Sequence, residues 1–244
     1  MTIQSGLALL LVCTRAIWAQ YVVSARAGTI NFTRGDVTVD GQRVQRNSLR
    51  FPSLNDGQVL RTSNGRAEIL LGPGVFLRLG EQGALRMLDA RLVDTQVEVQ
   101  QGSALIEVVE MAKDSNVHVR LGVTLTAFKG MGLHRFDTGA KELRVFGGHA
   151  EVLAGDQKVE AGRGKLVHLD ETLSVSKFDR RQVDALHQWA ARRSFLIFAA
   201  NLPARPRRSN WEITRLAWVW NRDFGMMFYS RAIARGYRGP GGGP

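Results

Sequence analysis

The feature that most constrains this fold is a series of short segments in which apolar and polar residues alternate. Alternation with a period of two places one set of side chains in a core and the other set in solvent, which indicates half-buried β-strands. Val, Leu, Ile and Phe, which favour strands, dominate the apolar positions. The segments are DVTVDGQRV, RAEILLG, GVFLRLG, TQVEVQQG, SALIEVVE, NVHVRLG, VTLTAFKG, ELRVFGG, HAEVLAG and GKLVHLD.

Glycine, Asn and Asp separate these segments in the manner of hairpin turns. Asp40-Gly41, Asn64-Gly65 and Gly155-Asp156 are dipeptides that favour tight turns between antiparallel strands. Gly72-Pro73-Gly74 indicates a turn, because proline has no N–H to give to the ladder of a central strand. We therefore predict a mainly β protein.

The same glycines invite comparison with phosphate-binding loops. A dinucleotide fingerprint that began at Gly72 and Gly74 would need its third glycine at Leu77 and a helix after it, whereas another strand follows. A Walker loop fails at the one Gly-Lys pair, Gly164-Lys165, because Leu166 occupies the position of the required Ser or Thr. The glycines are therefore interpreted as turns, with no nucleotide cofactor.

No residue pattern indicates catalysis or metal binding. The histidines are too far apart in sequence to form a local metal site, and no nucleophile elbow or paired carboxylates are present. We therefore predict a protein that is not an enzyme, with no catalytic, cofactor-binding or metal-binding residues. The five histidines are His118, His134, His149, His168 and His187.

Residues 1–20 resemble a secretory signal peptide. An apolar stretch is followed by small residues, and cleavage is expected near Ala19 or Gln20. Val12 stands where a lipidation site at Cys13 would need a small residue. Because Cys13 is the one cysteine, the mature chain would have neither a disulfide nor a thiolate metal site. We expect a periplasmic or secreted protein.

Positive charge is concentrated in the C-terminal quarter of the chain. Residues 179–244 contain twelve Arg and four acidic residues, a net charge of +8, whereas residues 21–178 carry a net +2. A basic segment attached to a nearly neutral body suggests an anionic partner for that segment. For an exported protein, anionic lipid headgroups or cell-wall polymers are better candidates than nucleic acid.

The apolar period changes from two to that of a helix after Phe178. We predict an amphipathic helix over residues 179–201, capped by Asp179 and ending before Pro203. Two roles remain open for this helix, a lid packed on the sheet or a docking helix for a partner. Its predicted apolar positions are Val183, Leu186, Ala190 and Ile197.

Four segments together resemble the FecR domain: LRTSNGRAEILLGPGVFLRLG, VEVQQGSALIEV, TAFKGMGLHRFDT and ELRVFGGHAEVL. The resemblance covers roughly residues 28–178. It implies a non-catalytic extracytoplasmic β domain, solenoid-like or sandwich-like, which we assign to residues 21–178. The resemblance to FecR regulators would also imply a cytoplasmic sigma-binding segment before the domain. Because the residues before Gly28 resemble an export signal, we expect no such segment here.

Aromatic and arginine side chains alternate in the tail, residues 202–244, which ends in a flexible Gly-rich stretch. Such side chains suit stacking on sugars or contact with an anionic interface, although they could also fold back over the β domain. The candidate binding residues are Trp211, Arg215, Trp218, Trp220, Arg222 and Phe224.

Two functions of different kinds follow from these features. The first is a non-catalytic binding or signal-sensing module that engages another envelope protein through strand edges and loops. The second is a structural envelope protein whose basic aromatic tail adheres to anionic lipid or cell-wall polymer, with peripheral membrane contact.

Overall fold

The computed structural model describes residues 27–45, 51–111 and 114–201. These residues form fifteen strands and one helix. The elements are β1 (Thr29–Arg34), β2 (Val37–Val39), β3 (Gln42–Arg43), β4 (Val59–Thr62), β5 (Arg66–Gly72), β6 (Val75–Leu79), β7 (Ala84–Asp89), β8 (Asp94–Gln101), β9 (Ser103–Val108), β10 (Asn116–Leu121), β11 (Thr124–Asp137), β12 (Glu142–Ala154), β13 (Gln157–Gly162), β14 (Lys165–His168), β15 (Val175–Lys177) and α1 (Ala185–Asn201).

The strands form one curled sheet with two halves. The first half has the order β1-β5-β6-β9, and the second has the order β10-β8-β7-β4-β2-β3. Strand β11 joins them, since it pairs with β10 through its first residues and with β9 through its last residues. Strand β12 pairs with β11 along its length. On its other edge, its first residues pair with β14 and its last residues pair with β13. The β8–β10 pair is parallel, and the other named pairs are antiparallel.

A glycine-rich bulge lies in the middle of the β11–β12 hairpin, between its two sets of partners. The pairing register shifts between Lys129 and Leu133. Gly148 has a φ of +77°, and a Cβ there would lie 2.3 Å from the Met131 carbonyl oxygen. Only glycine allows this conformation and this approach. The sequence predicted two strands, ELRVFGG and HAEVLAG, where the structure has the single strand β12, because the glycines bulge the strand without ending it.

Both halves of the sheet bury their inward-facing residues in one core. Ile69, Leu77 and Ile106 come from the first half, and Leu85 and Val97 come from the second half. Each fully buried aliphatic side chain contributes about 1.5–3 kcal/mol relative to an exposed one. The protein is therefore mainly β, as predicted, with one curled sheet around its core.

Helix α1 packs on the outer face of the first half of the sheet. Leu186, Trp189 and Ala190 of the helix contact Leu105 and Phe146 of the strands in a second apolar cluster. This placement agrees with the interpretation of the helix as a lid.

Two details of the helix prediction were wrong. The helix begins at Ala185, where the backbone N–H of His187 donates to the Asp184 carboxylate, so the cap is Asp184. The predicted cap, Asp179, instead accepts from the Arg181 backbone N–H in a turn before the helix. Val183 lies outside the helix and is 44% exposed, so it takes no part in the buried face.

No helix among the described residues is long and apolar enough to cross a membrane. The predicted signal peptide, residues 1–20, and the tail, residues 202–244, lie outside the described residues.

Candidate functional site: a buried charge cluster beneath helix α1

The tail residues predicted to bind a partner lie outside the described residues, and their role stays a prediction. They are Trp211, Arg215, Trp218, Trp220, Arg222 and Phe224.

Three charged side chains are buried on the outer face of the sheet. Strand alternation turns Glu68 of β5, Arg78 of β6 and Glu107 of β9 away from the main core, since their sequence neighbours belong to that core. All three are at most 1% exposed. Arg78 lies between the carboxylates, with Nε 2.7 Å from Glu68 Oε2 and Nη1 2.7 Å from Glu107 Oε2.

Helix α1 supplies two further members of this charge cluster. Arg193 Nη2 donates to Glu68 Oε1 at 2.8 Å, and Ser194 Oγ donates to Glu107 Oε2 at 2.6 Å. Asn31 of β1 adds a third donor to Glu68, with a distance of 2.7 Å from Nδ2 to Oε1. The charge cluster is thus Glu68, Arg78, Glu107, Arg193, Ser194 and Asn31, and its two cations balance its two anions.

Aromatic rings close the charge cluster from water. The Arg193 guanidinium lies 4.1 Å from the centroid of the Phe32 ring, and the Phe32 and Trp189 rings are 6.3 Å apart. A guanidinium suits this position because it stacks on a ring and donates several hydrogen bonds at once. Helix α1 therefore pairs with the carboxylates through Arg193 and Ser194 and also supplies Trp189 to the neighbouring rings.

The pKa values of Glu68 and Arg78 favour their ionised forms. Burial alone would raise the pKa of Glu68, but the charge of Arg78 and the hydrogen bond from Arg193 outweigh it, so the pKa of Glu68 is lowered. Burial likewise opposes the charge of Arg78, yet Glu107 and Glu68 raise its pKa overall. Buried ions are retained when their partners satisfy them, whereas removal of one partner is costly.

A second polar contact fixes the N-terminal end of the helix. Asp184 Oδ1 lies 3.0 Å from His187 Nδ1, and Arg135 Nη2 of β11 donates to Asp184 Oδ2 at 2.7 Å. Burial would raise the pKa of Asp184, but hydrogen bonds from His187 and the charge of Arg135 lower it. Arg66 Nη1 also donates to the Ala185 carbonyl at 3.2 Å.

The five histidines do not gather at one site. His118 Nδ1 lies 3.0 Å from Asp94 Oδ1, and His187 contacts its own helix cap. His134 is fully buried, with its ring 4.6 Å from that of Phe128, and burial lowers the pKa of His134 to about 3. Within residues 27–45, 51–111 and 114–201, no three His, Cys, Asp or Glu side chains group closely enough to hold a metal ion.

A polar cavity of about 250 Å³ lies near the start of the helix. Its volume is below the ~300–1,000 Å³ of typical small-molecule sites. Arg66 in its wall pairs with Glu81, with 2.8 Å between Nη2 and Oε1. The lining residues are Arg34, Asn64, Gly65, Arg66 and Glu81.

The charge cluster was not predicted from the sequence. Alternation in RAEILLG, GVFLRLG and SALIEVVE assigned Glu68, Arg78 and Glu107 to the solvent side of the sheet. They lie on that side, but the helix covers them. One signal in the sequence could have predicted it. Glu68, Arg78 and Glu107 are charged residues with mostly apolar neighbours on three strands, and Arg193 and Ser194 on the following helix can pair with them.

Comparison with known proteins gives structural matches alone. No protein-family model and no curated protein matches the sequence. A crystal structure of a "putative anti-sigma factor" from Parabacteroides distasonis matches with a TM-score of 0.41 and 13% identity, over 55% of this chain and 63% of that one. A second structure with the same description and source matches with a TM-score of 0.40 and 14% identity, over 64% and 63%. This chain therefore spans less than two thirds of either structure.

Proposed function

We propose that the protein is a non-catalytic, FecR-like binding or signal-sensing module of the cell envelope that engages another envelope protein. The observation that carries this proposal is that the buried charges join the helix to the sheet. Enzymes keep buried, pKa-shifted groups at a cleft where substrate reaches them. Here Glu68, Arg78 and Glu107 are neutralised beneath the helix and fix it to the sheet.

This arrangement supports a binding role because it makes a rigid scaffold with exposed turns. Val93 precedes β8, and Val123 lies in the β10–β11 turn. The two side chains are 57% and 60% exposed, respectively. Rigid sheets that carry variable turns are a common basis for protein recognition.

The test is capture of envelope proteins by the immobilised full-length protein. We expect one specific protein to be retained by the wild type and by the control variant Lys177→Gln, and to be lost with Val123→Asp or Val93→Asp. Urea unfolding must show that all variants remain folded. Retention of the same proteins by wild type and all variants, or of none by wild type, would contradict the proposal.

A second function is favoured by the position of the tail in the chain. The tail, residues 202–244, follows in sequence after helix α1, which Arg193 and Ser194 join to the sheet. A basic aromatic segment attached to a folded β domain suits adhesion to anionic lipid or cell-wall polymer.

Sedimentation with vesicles distinguishes this second function. We expect the full-length protein to sediment with phosphatidylglycerol vesicles and to be released by salt, because salt screens the attraction. The variant Arg215→Gln/Arg222→Gln should sediment less, and Trp218→Ser/Trp220→Ser should do the same. Lys158→Gln/Lys177→Gln, which removes two charges from the β domain, is the matched control. Equal sedimentation of all variants would exclude the tail as the adhesive segment.

A further inference from the structure

Strand β13 has one edge with which no other described strand pairs. In the part of the chain that the structure describes, β13 pairs with β12 alone. Three other described strands have a single neighbouring strand. Two of them, β3 and β15, have only two and three residues. The third, β1, has six residues like β13, but its Thr29 forms a bridge with Ser53 and its Ile30 N–H donates to the Pro52 carbonyl. A six-residue strand edge can form a hydrogen-bonded ladder with a strand of another chain, so we asked which strand could pair with β13.

The geometry of the β12–β13 hairpin determines which backbone groups face outward. A two-residue turn, Gly155-Asp156, joins Ala154 to Gln157, so that pair exchanges hydrogen bonds. Hydrogen-bonded and non-hydrogen-bonded pairs then alternate along the hairpin, so the backbone groups of Val159 are hydrogen-bonded to those of Val152. The backbone N–H and C=O groups of Lys158 and Glu160 therefore point to the open edge.

Two of the outward-bonding positions along this edge carry side chains of opposite charge. Lys158 Nζ lies 2.8 Å from Glu151 Oε2, and Glu160 Oε1 lies 2.8 Å from Lys129 Nζ. Both charged side chains therefore project from the outer face. Val159, between them, packs against the main core on the other face.

This pattern is self-complementary under twofold symmetry. If two β13 strands pair antiparallel about Val159, Lys158 of each copy stands opposite Glu160 of the other. Both of these positions have outward-facing backbone groups, so the register gives hydrogen-bonded pairs and two cross-strand ion pairs. The two Val159 side chains meet at the axis and extend the core across the contact.

We infer that β13 is a homodimerisation edge, whose partner is β13 of a second copy of this chain in the register that places Lys158 opposite Glu160. The contact is small, so the dimer is a weak one that forms at high protein concentration. It does not depend on the proposed envelope partner, and it would leave the Val93 and Val123 side chains out of the β13 contact.

Sedimentation equilibrium with charge variants tests the pairing. The wild-type protein should shift with concentration from a mass of 27.0 kDa towards twice that value. Lys158→Glu and Glu160→Lys should each weaken self-association by about tenfold, since both replace two attractive cross-strand pairs by repulsive ones. An equimolar mixture of these two variants should dimerise again, because each then faces the opposite charge. Circular dichroism and urea unfolding of each variant verify the fold.

Disulfide trapping tests the register. In a Cys13→Ser background, Val159→Cys places two thiols opposite each other at the axis, at a separation that suits a disulfide. Oxidation should give a covalent dimer on a non-reducing gel. The exposed control Val175→Cys, on β15, should give much less.

Three results would overturn the inference. The first is a wild-type protein that stays monomeric up to millimolar concentration. The second is a dimer that persists in Glu160→Pro, which removes an outward N–H, because that dimer would use another surface. The third is a wild-type protein that stays monomeric and binds an envelope protein that the Glu160→Pro variant does not bind. The β13 edge would then pair with a strand of that protein and not with a second copy of this chain.

Discussion

Ser194 Oγ donates a 2.6 Å hydrogen bond to Glu107 Oε2 across 87 residues of sequence. This contact joins the helix to β9 inside the charge cluster. Ser194→Ala removes one donor from a buried carboxylate and should lower the free energy of unfolding by about 1–3 kcal/mol. The control Arg192→Ala, at an exposed position of the same helix, should change it by less than about 0.5 kcal/mol. Urea unfolding at neutral pH measures both, and equal effects would contradict this account of Ser194.

Arg78 is the cation on which both buried carboxylates depend. Arg78→Met leaves Glu68 and Glu107 without their shared partner and should cost about 3–5 kcal/mol. The double variant Arg78→Met/Glu107→Gln leaves Glu68 paired with Arg193, so no uncompensated charge remains, and it should recover much of that loss. If the double variant is less stable than Arg78→Met in urea unfolding, the charges are not the reason for the loss.

Gly148 occupies the bulge that allows β11 and β12 to serve both halves of the sheet. Gly148→Ala places a Cβ 2.3 Å from the Met131 carbonyl oxygen at a φ of +77°. We expect a loss of stability well above the ~1 kcal/mol that a positive φ costs by itself. Gly122→Ala is the matched control, since Gly122 also has a positive φ but has open space around it. Equal melting temperatures for the two variants would argue against a steric role.

His134 should make the fold sensitive to acid. Histidine titrates near pH 6.5 in an unfolded chain, whereas burial lowers the pKa of His134 to about 3. Between these values the unfolded state binds the proton and the folded state does not. The contribution of neutral His134 to the free energy of unfolding is therefore complete above about pH 6.5. It declines as the pH falls towards 3, by up to about 1.4 kcal/mol per pH unit.

Urea unfolding of wild type and His134→Leu between pH 4.5 and 7.5 tests this prediction. The wild type should lose stability on acidification over this range, and the variant should lose less. His168→Gln, on β14, is the control and should follow the wild type. Parallel curves for wild type and His134→Leu would show that another group determines the pH dependence.

The sequence predicted the strands well because alternation and turn residues are local signals. RAEILLG is β5 without a change of bounds, and Pro73-Gly74 of the predicted Gly72-Pro73-Gly74 turn joins β5 to β6. Five strands that are short or show little alternation were missed: β1, β4, β7, β13 and β15.

The charge cluster could not be predicted because it depends on tertiary contact. Alternation shows which face of a strand Glu68 and Arg78 occupy, but not what covers that face. The helix start was misplaced for a related reason. Both Asp179 and Asp184 can cap a helix, and the contact of Asp184 with Arg135 of β11 favours the later start.

Hydrogen exchange of helix α1 in the full-length protein tests most directly whether the buried charges hold the helix on the sheet. The account predicts that amides of residues 189–197 are protected to a degree similar to those of β9, and that Arg78→Met lowers helix protection along with that of the strand. Helix amides that exchange as fast as those of a free peptide, while β9 stays protected, would contradict it.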